Sequence, residues 1–335
     1  MYESFYGLSA KPFRLRPDPN FFYGSRGHKR ALAYLEYGLS QGEGFIVITG
    51  EVGAGKTTLV RNLFDHLPSE QIVAAHIVNT HLDSDDTLRT VVSAFGLPYE
   101  NVSKTDLLTR LEQFLRESDQ QGRRALLVID EAQNLTAQTV EELRMLSNFQ
   151  SADNRSLLQT FLVGQPEFRT TLHSPTMQQL RQRVIASYHL GPMDAGETQA
   201  YIEHRLATVG WKGDPAFSHP AHAAIFAYTG GIPRKVNTLC DRLLLMGFLE
   251  ELHAFDESHV QEVIDDIAEE FELPADAVIA PAPLHAQAPA SADGNRLDER
   301  MQALEESVTA MLGLLKKVIA APAGAASPIN HNSNE

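Results

Sequence analysis

The apolar run Phe45-Ile46-Val47-Ile48-Thr49 leads without a break into Gly50-Glu51-Val52-Gly53-Ala54-Gly55-Lys56-Thr57. A helical period starts at once, with Leu59, Leu63, Phe64 and Leu67 on one face. No other stretch restricts the fold as much. A buried strand that turns through glycines into a helix aims backbone N–H groups and the positive helix end at one spot, which makes an anion cradle. The eight positions satisfy G-x-x-x-x-G-K-[ST] in that strand-to-helix context. Gly50, Gly53, Ala54, Gly55, Lys56, Thr57 and Thr58 are therefore expected to hold the phosphates of a nucleotide. Lys56 would reach the β and γ phosphates, and the Thr57 hydroxyl would take a place on Mg²⁺.

The segment ALLVIDE, ending at Asp130 and Glu131, reads as a second buried strand closed by two acids. In a parallel sheet such a strand delivers both acids to the edge that carries the loop. Asp130 is expected to hold Mg²⁺ through water, and Glu131 to orient or deprotonate an attacking water. The competing reading makes the acids caps of the next helix. Beside a complete phosphate loop, hydrolysis is the expectation rather than binding alone. Gln165, in FLVGQPE, falls just past the fourth core strand, where an amide can meet the γ-phosphate or the lytic water; its alternative is a turn residue before Pro166. Arg181 and Arg183 precede the fifth strand in LRQRVIASYHL, a place from which an arginine can reach a neighbouring subunit's nucleotide, with surface pairing as the alternative. Arg234 opens a helix after the Gly-Gly-x-Pro break of TGGIPRKVN, and from there can touch a phosphate and couple nucleotide state to the angle between domains. No NKxD-like guanine reader follows the sheet, which favours ATP.

Strand-like and helical runs alternate as far as His189-Leu190, which predicts an α/β fold, a parallel sheet sandwiched by helices. From Met193 only helical periods appear, so a small helical lid domain is expected. The organisation reads as a lead-in and helix near the nucleotide over 1–40, an α/β core over 41–192, the lid over 193–272 and a Pro/Ala-rich linker over 273–294. Leu297, Met301, Leu304, Val308, Met311, Leu315 and Val318 then alternate at spacings of four and three. They predict a coiled-coil or amphipathic helix over 295–320, before a disordered tail over 321–335.

With 28 Lys and Arg against 43 Asp and Glu, the chain carries a formal charge of -15, so a phosphate backbone is not its default partner. Lys11, Arg14, Arg16, Arg26, Lys29 and Arg30 form one basic gathering, read as a solvated surface. Cys240 is the single cysteine and lies in LCDRLLLM, the setting of a small buried apolar side chain. The start lacks a charged segment followed by an apolar core, and no stretch reaches the roughly 18 apolar residues of a membrane span. A cytoplasmic protein without a transmembrane segment is expected, attached at the inner membrane through partners.

These motifs together resemble the AAA+ ATPases, in the ordering of the ORC/Cdc6 and secretion-ATPase branch. FYGLSAKPFRLRPDPNFFYGSRGHKRALAYLEYGL, LLVIDEAQNL, EELRMLSNF, FLVGQPEF, LRQRVIASYHLGP and GGIPRKVNTLCDRLLL resemble more closely the ExeA/GspA-like secretion ATPases. Among these they look like the ATPase encoded with exosortase (PEP-CTERM) and exopolysaccharide loci. The resemblance spans about residues 1–270. It implies a P-loop AAA+ core with a lid, ATP and Mg²⁺ as cofactors, Gln165 as the first sensor, Arg183 as the finger and Arg234 as the second sensor. It also places Phe21, Phe22 and Tyr23 near the adenine, ordinary packing being their other reading. ExeA-type relatives add a membrane segment and a peptidoglycan-binding part; a linker and heptad helix stand here instead, so direct cell-wall engagement is not expected. The implied function is that of an ATP-hydrolysing motor or regulator of an envelope export or exopolysaccharide system, working as a homo-oligomer such as a hexamer-like ring with partners at the inner membrane. Two other classes compete: a DNA-handling ATPase, akin to transposition helpers or initiators, which the acidic balance opposes, and a non-hydrolysing switch, which Glu131 opposes.

Overall fold

A computed structural model describes residues 1–68, 70–78 and 84–271. The expected linker, heptad helix and tail lie outside the described residues. The chain opens with one helical turn, α1 (Tyr2–Phe5), and a 3-10 turn at Pro19–Phe21, then enters α2 (Arg26–Gln41). Ser25 starts α2 because its hydroxyl accepts from the His28 N–H, and Gly42, at φ 73°, ends it in a left-handed cap. Strands and helices then alternate as the sequence predicts: β1 (Phe45–Gly50), α3 (Lys56–His66), β2 (Ile72–Ile77), α4 (Ser84–Ala94), α5 (Lys104–Gln120), β3 (Arg124–Ile129), α6 (Ala137–Leu146), β4 (Leu158–Gly164), α7 (Pro166–His173), α8 (Gln178–Arg181) and β5 (Val184–Leu190).

The five strands pair in parallel in the order β2-β3-β4-β1-β5. Parallel neighbours need crossovers, and the helices supply them on both faces. β1 is buried at every position. Its apolar run is continuous in sequence yet alternates in space. Phe45 and Val47 join Leu127 and Leu162 in one core, whereas Ile46 and Ile48 join Leu35 and Leu59 in the other. Each such side chain stabilises the sheet by about 1.5–3 kcal/mol through burial. Because the strands are parallel, whatever follows β3, β4 and β1 stands along one edge, with β3 and β1 two strand spacings, about 10 Å, apart.

After β5 come α9 (Ala195–Thr208), β6 (Ala216–Phe217), α10 (His219–Thr229), α11 (Pro233–Leu249), β7 (Ala254–Phe255) and α12 (Glu257–Phe271). Asp194 and Glu197 form a reciprocal capping box at the start of α9. The sequence reading expects helices alone here; the short parallel pair β6–β7 corrects it. Two residues per strand are too few to show a period, and the pair is held by tertiary packing of Phe217 on Phe255, centroids 5.3 Å apart. The lead-in is divided between two cores. Tyr2, Tyr6, Leu8, Phe13 and Phe21 join Ile202, Leu206, Val236 and Leu239 in the lid, while α2 packs on the sheet through Ala31 and Leu35. Cys240 is fully buried in that lid core, and burial pushes its thiol pKa far up, so it acts as an apolar side chain.

Candidate nucleotide site

Gly53 and Gly55 carry the turn out of β1, at φ 82° and 96°. A Cβ on Gly53 would stand 2.4 Å from the Arg234 Cβ, and one on Gly55 2.7 Å from His28 Nε2. Both the backbone angle and the crowding therefore demand glycine. Lys56, only 7% exposed, begins α3 and donates from Nζ to the Gly50 carbonyl at 2.7 Å and the Glu51 carbonyl at 3.0 Å. Burial pulls the Lys56 pKa below its ordinary value, against the upward pull of Glu131 and Asp130.

Thr57 Oγ1 donates to Asp130 Oδ2 at 2.8 Å, and Asp130 is 1% exposed. The sheet brings this pair together across the two strand spacings between β1 and β3. A hydroxyl and a carboxylate are hard oxygen donors that fit a Mg²⁺ completed by phosphate and water oxygens. Among the described residues no group of three or more His, Cys, Asp or Glu is placed to hold an ion alone.

Glu131 has φ 55°, which a residue with a Cβ rarely adopts. The kink starts a 3-10 turn, Ala132–Asn134, that brings Gln133 back over the carboxylate. Gln133 Nε2 donates to Glu131 Oε2, and Gln165 Nε2 donates to the same oxygen at 3.2 Å. Gln133 Oε1 in turn accepts from the Gln165 N–H at 2.9 Å, so the two amides brace each other. Burial opposes the charge on Glu131, but the two amide donors and the Lys56 ammonium outweigh it and hold the carboxyl below the usual range. The capping alternative for the two acids fails, because α6 is capped by the Thr136 side chain instead. The turn alternative for Gln165 is met only in part: it stands at the N-cap position of α7 without capping it, and its side chain goes to Glu131. Gln133 escaped the sequence reading. Its signal was position, two residues past an acid at a strand end.

The lid closes the site. The Arg234 N–H donates to the Gly53 carbonyl at 3.1 Å, which seats the N-terminus of α11 on the phosphate loop. Arg234 lines one cavity with Gly53, Gly55, Lys56, Thr57, Thr58, Glu131 and Gln165. Phe21, Phe22 and Tyr23 line it too, while also packing: Phe22 edge-on to His28 at 5.7 Å and Tyr23 on Tyr201 at 5.9 Å. Arg14 and Arg16 reach the same cavity, so those two members of the basic gathering are more than solvated surface. Arg26 instead pairs with Asp194 and Glu197.

Two arginines stay apart from this cavity. Arg183 sits at the amino end of β5, its carbonyl accepting from the Phe45 N–H at 2.9 Å, on the sheet edge opposite the phosphate loop. Its Nη1 donates to Ser147 Oγ at 2.7 Å, and Arg181 Nη1 donates to the Leu172 carbonyl at 2.9 Å. Neither can serve its own chain's nucleotide.

This is the arrangement of a P-loop phosphate site, with a sheet-edge acid pair and a helical segment beside it. Residues 39–172 match the AAA domain. The chain is 41% identical over 254 residues to General secretion pathway protein A of Aeromonas hydrophila, an alignment that covers 76% of this chain and 46% of that protein. The chain thus spans less than half the length of this relative. Among solved structures, its fold is similar to that of the Aeropyrum pernix ORC2 protein in ADPNP-ADP complexes, with a TM-score of 0.57, 18% identity, and coverage of 79% of this chain and 75% of that one. The Cdc6p protein of Pyrobaculum aerophilum gives 0.58 and 17%, over 81% and 74% of the two chains. At these identities the likeness is one of fold, and it covers more of the chain than residues 39–172.

Proposed function

We propose that the protein hydrolyses ATP with Mg²⁺ and passes the resulting change in lid position to an envelope export machine. The observation that carries this reading is the Glu131 carboxylate, held ionised by Gln133, Gln165 and Lys56 at the mouth of the phosphate loop. Lys56 would leave the Gly50 and Glu51 carbonyls for the terminal phosphates. Glu131 would take the proton of the water that attacks the γ-phosphorus while the bond to the β–γ bridging oxygen breaks. Magnesium held by Thr57 and Asp130 neutralises phosphate charge when bound. Gln165 then turns from Glu131 to the phosphate or the water, and Arg234 reports phosphate occupancy to α11.

Arg183 faces away from its own site, which supports a homo-oligomer, such as a hexamer-like ring, in which it completes a neighbour's site. The likeness to General secretion pathway protein A supports work with secretion-system partners on the cytoplasmic side of an inner membrane. Among the described residues no helix is long and apolar enough to cross one. The association with exosortase and exopolysaccharide export rests on the sequence resemblance.

The test is Mg²⁺-dependent phosphate release by the full chain, alone and with equimolar mixtures of the Lys56→Ala and Arg183→Ala variants. Each variant alone should be inactive. Mixing should restore a fraction of the activity if the site is shared between subunits; no restoration rejects the shared site. Stimulation by duplex DNA that fades with salt would move the protein to the DNA-handling class.

A further inference from the structure

The wall of the cavity beyond the phosphate loop carries a polar relay that the phosphate chemistry does not use. Arg205, Tyr201 and Asn237 are each 6% exposed, and all three line the same cavity as Lys56. A guanidinium only donates. Arg205 Nη1 donates to the Tyr201 hydroxyl at 2.9 Å, so the phenol proton must find another acceptor, and it goes to Asn237 Oδ1 at 2.8 Å. Burial pushes the Tyr201 pKa up, so the phenol keeps that proton. The relay therefore decides which way the Asn237 amide is turned. Its oxygen is committed to Tyr201, and Nδ2 offers two N–H donors to the cavity. Arg205 is itself anchored by donating to the Pro12 carbonyl at 2.6 Å and the Arg14 carbonyl at 3.2 Å, with its guanidinium 4.8 Å over the Phe21 ring.

Asn237 lies one turn beyond Arg234 on α11, and Arg234 rests on the phosphate loop. The loop, Arg234 and Asn237 line one cavity, so a nucleotide with its phosphates on the loop would place its nucleoside elsewhere in that cavity. We propose that Asn237 is a specificity residue of the site: its amide nitrogen donates to an acceptor of the nucleoside, either a base ring nitrogen or a sugar hydroxyl oxygen. Tyr201 and Arg205 are the positioning residues that hold the amide in that orientation. The inference rests on the nucleotide reading of the cavity. Where the base is the acceptor, it also gives a reason to prefer adenine over guanine, since adenine N1 accepts a hydrogen bond whereas guanine N1 carries a hydrogen.

The experiment is calorimetric titration of the full chain with magnesium tripolyphosphate, ATP, GTP and 2′,3′-dideoxy-ATP. Asn237→Leu should weaken ATP about tenfold, the worth of one hydrogen bond near 1.4 kcal/mol, and leave tripolyphosphate unchanged. Tyr201→Phe keeps the ring but frees the amide to turn. It should weaken ATP by a smaller factor, again with tripolyphosphate unchanged, and the retained tripolyphosphate binding of each variant shows that it folds. If the base is read, Asn237→Leu weakens dideoxy-ATP as much as ATP and narrows the gap between ATP and GTP. If the sugar is read, the variant and the natural chain bind dideoxy-ATP alike. Equal losses for ATP and tripolyphosphate, or no loss for either variant, overturn the proposal. A natural chain that binds tripolyphosphate but no nucleotide overturns the nucleotide reading itself.

Discussion

The two ends of the cavity are built in opposite ways. The cradle at the phosphate end is made by one short segment, in which backbone N–H groups, two left-handed glycines and a helix start lie within the eight residues from Gly50 to Thr57. The nucleoside end is made by side chains from three distant segments: the lead-in with Phe21 and the Pro12 carbonyl, α9 with Tyr201 and Arg205, and α11 with Asn237. A backbone cradle is fixed by local torsions and survives almost any surroundings. A side-chain wall exists only when the lid core forms. The difference separates what binds any polyphosphate from what chooses among nucleotides.

Variants at each end can break or sharpen this contrast. Glu131→Gln should lower ATP turnover about a thousandfold while ATP affinity holds, because the amide cannot accept a proton yet keeps its shape. Turnover that persists would remove hydrolysis from the phosphate end altogether. At the other end, Arg205→Met should lower stability by about 2–4 kcal/mol in urea unfolding, since it leaves the buried Pro12 carbonyl unpaired and loosens the lead-in from the lid. A change confined to nucleotide affinity would show that the lead-in is held by its apolar residues alone. Gly53→Ala forces a Cβ into a left-handed turn 2.4 Å from Arg234. It should weaken ATP and tripolyphosphate equally, by about tenfold. Unequal losses would mean that the loop senses the nucleoside.

The smallest effect concerns pH. His28 is buried where α2 meets the loop; its Nδ1 is 2.7 Å from Ser25 Oγ, and the Ala54 carbonyl accepts from its ring. Burial depresses its pKa in the folded state. It therefore favours folding above the unfolded value of about 6.5, and that contribution is lost as pH falls through the window below it. Stability measured between pH 7 and 5 should fall by up to about 1.4 kcal/mol per pH unit on account of this proton. His28→Asn should flatten the slope, although His76 and His222, depressed by burial in the same way, keep part of it. An unchanged slope would place the pH sensitivity elsewhere.

The sheet and the phosphate end were legible for one reason: their signals are local. Strand, glycines and helix follow each other in FIVITGEVGAGKT, and VIDE announces its acids at a strand end. Gln133, His28, Tyr201, Arg205 and Asn237 were not legible. Gln133 depends on the left-handed kink at Glu131, which periodicity does not reveal. Arg205 looks like any arginine on an amphipathic helix, and only its distance to Pro12, 193 residues earlier, shows its work. The strand pair β6–β7 was missed because it owes its existence to the Phe217–Phe255 contact and not to a pattern.

The sequence by itself determined the element types of the sheet region, the phosphate cradle and the identity of the acids, because each follows from backbone torsions and residue spacing over a dozen positions. Only the tertiary structure decided that the lead-in is shared between lid and sheet, and that Arg183 is barred from its own site. It alone decided that a buried arginine orients an amide beyond the phosphates. Those outcomes depend on which surfaces meet when apolar area is buried and on where the last unpaired donors then find acceptors, and no local stretch of chain encodes either.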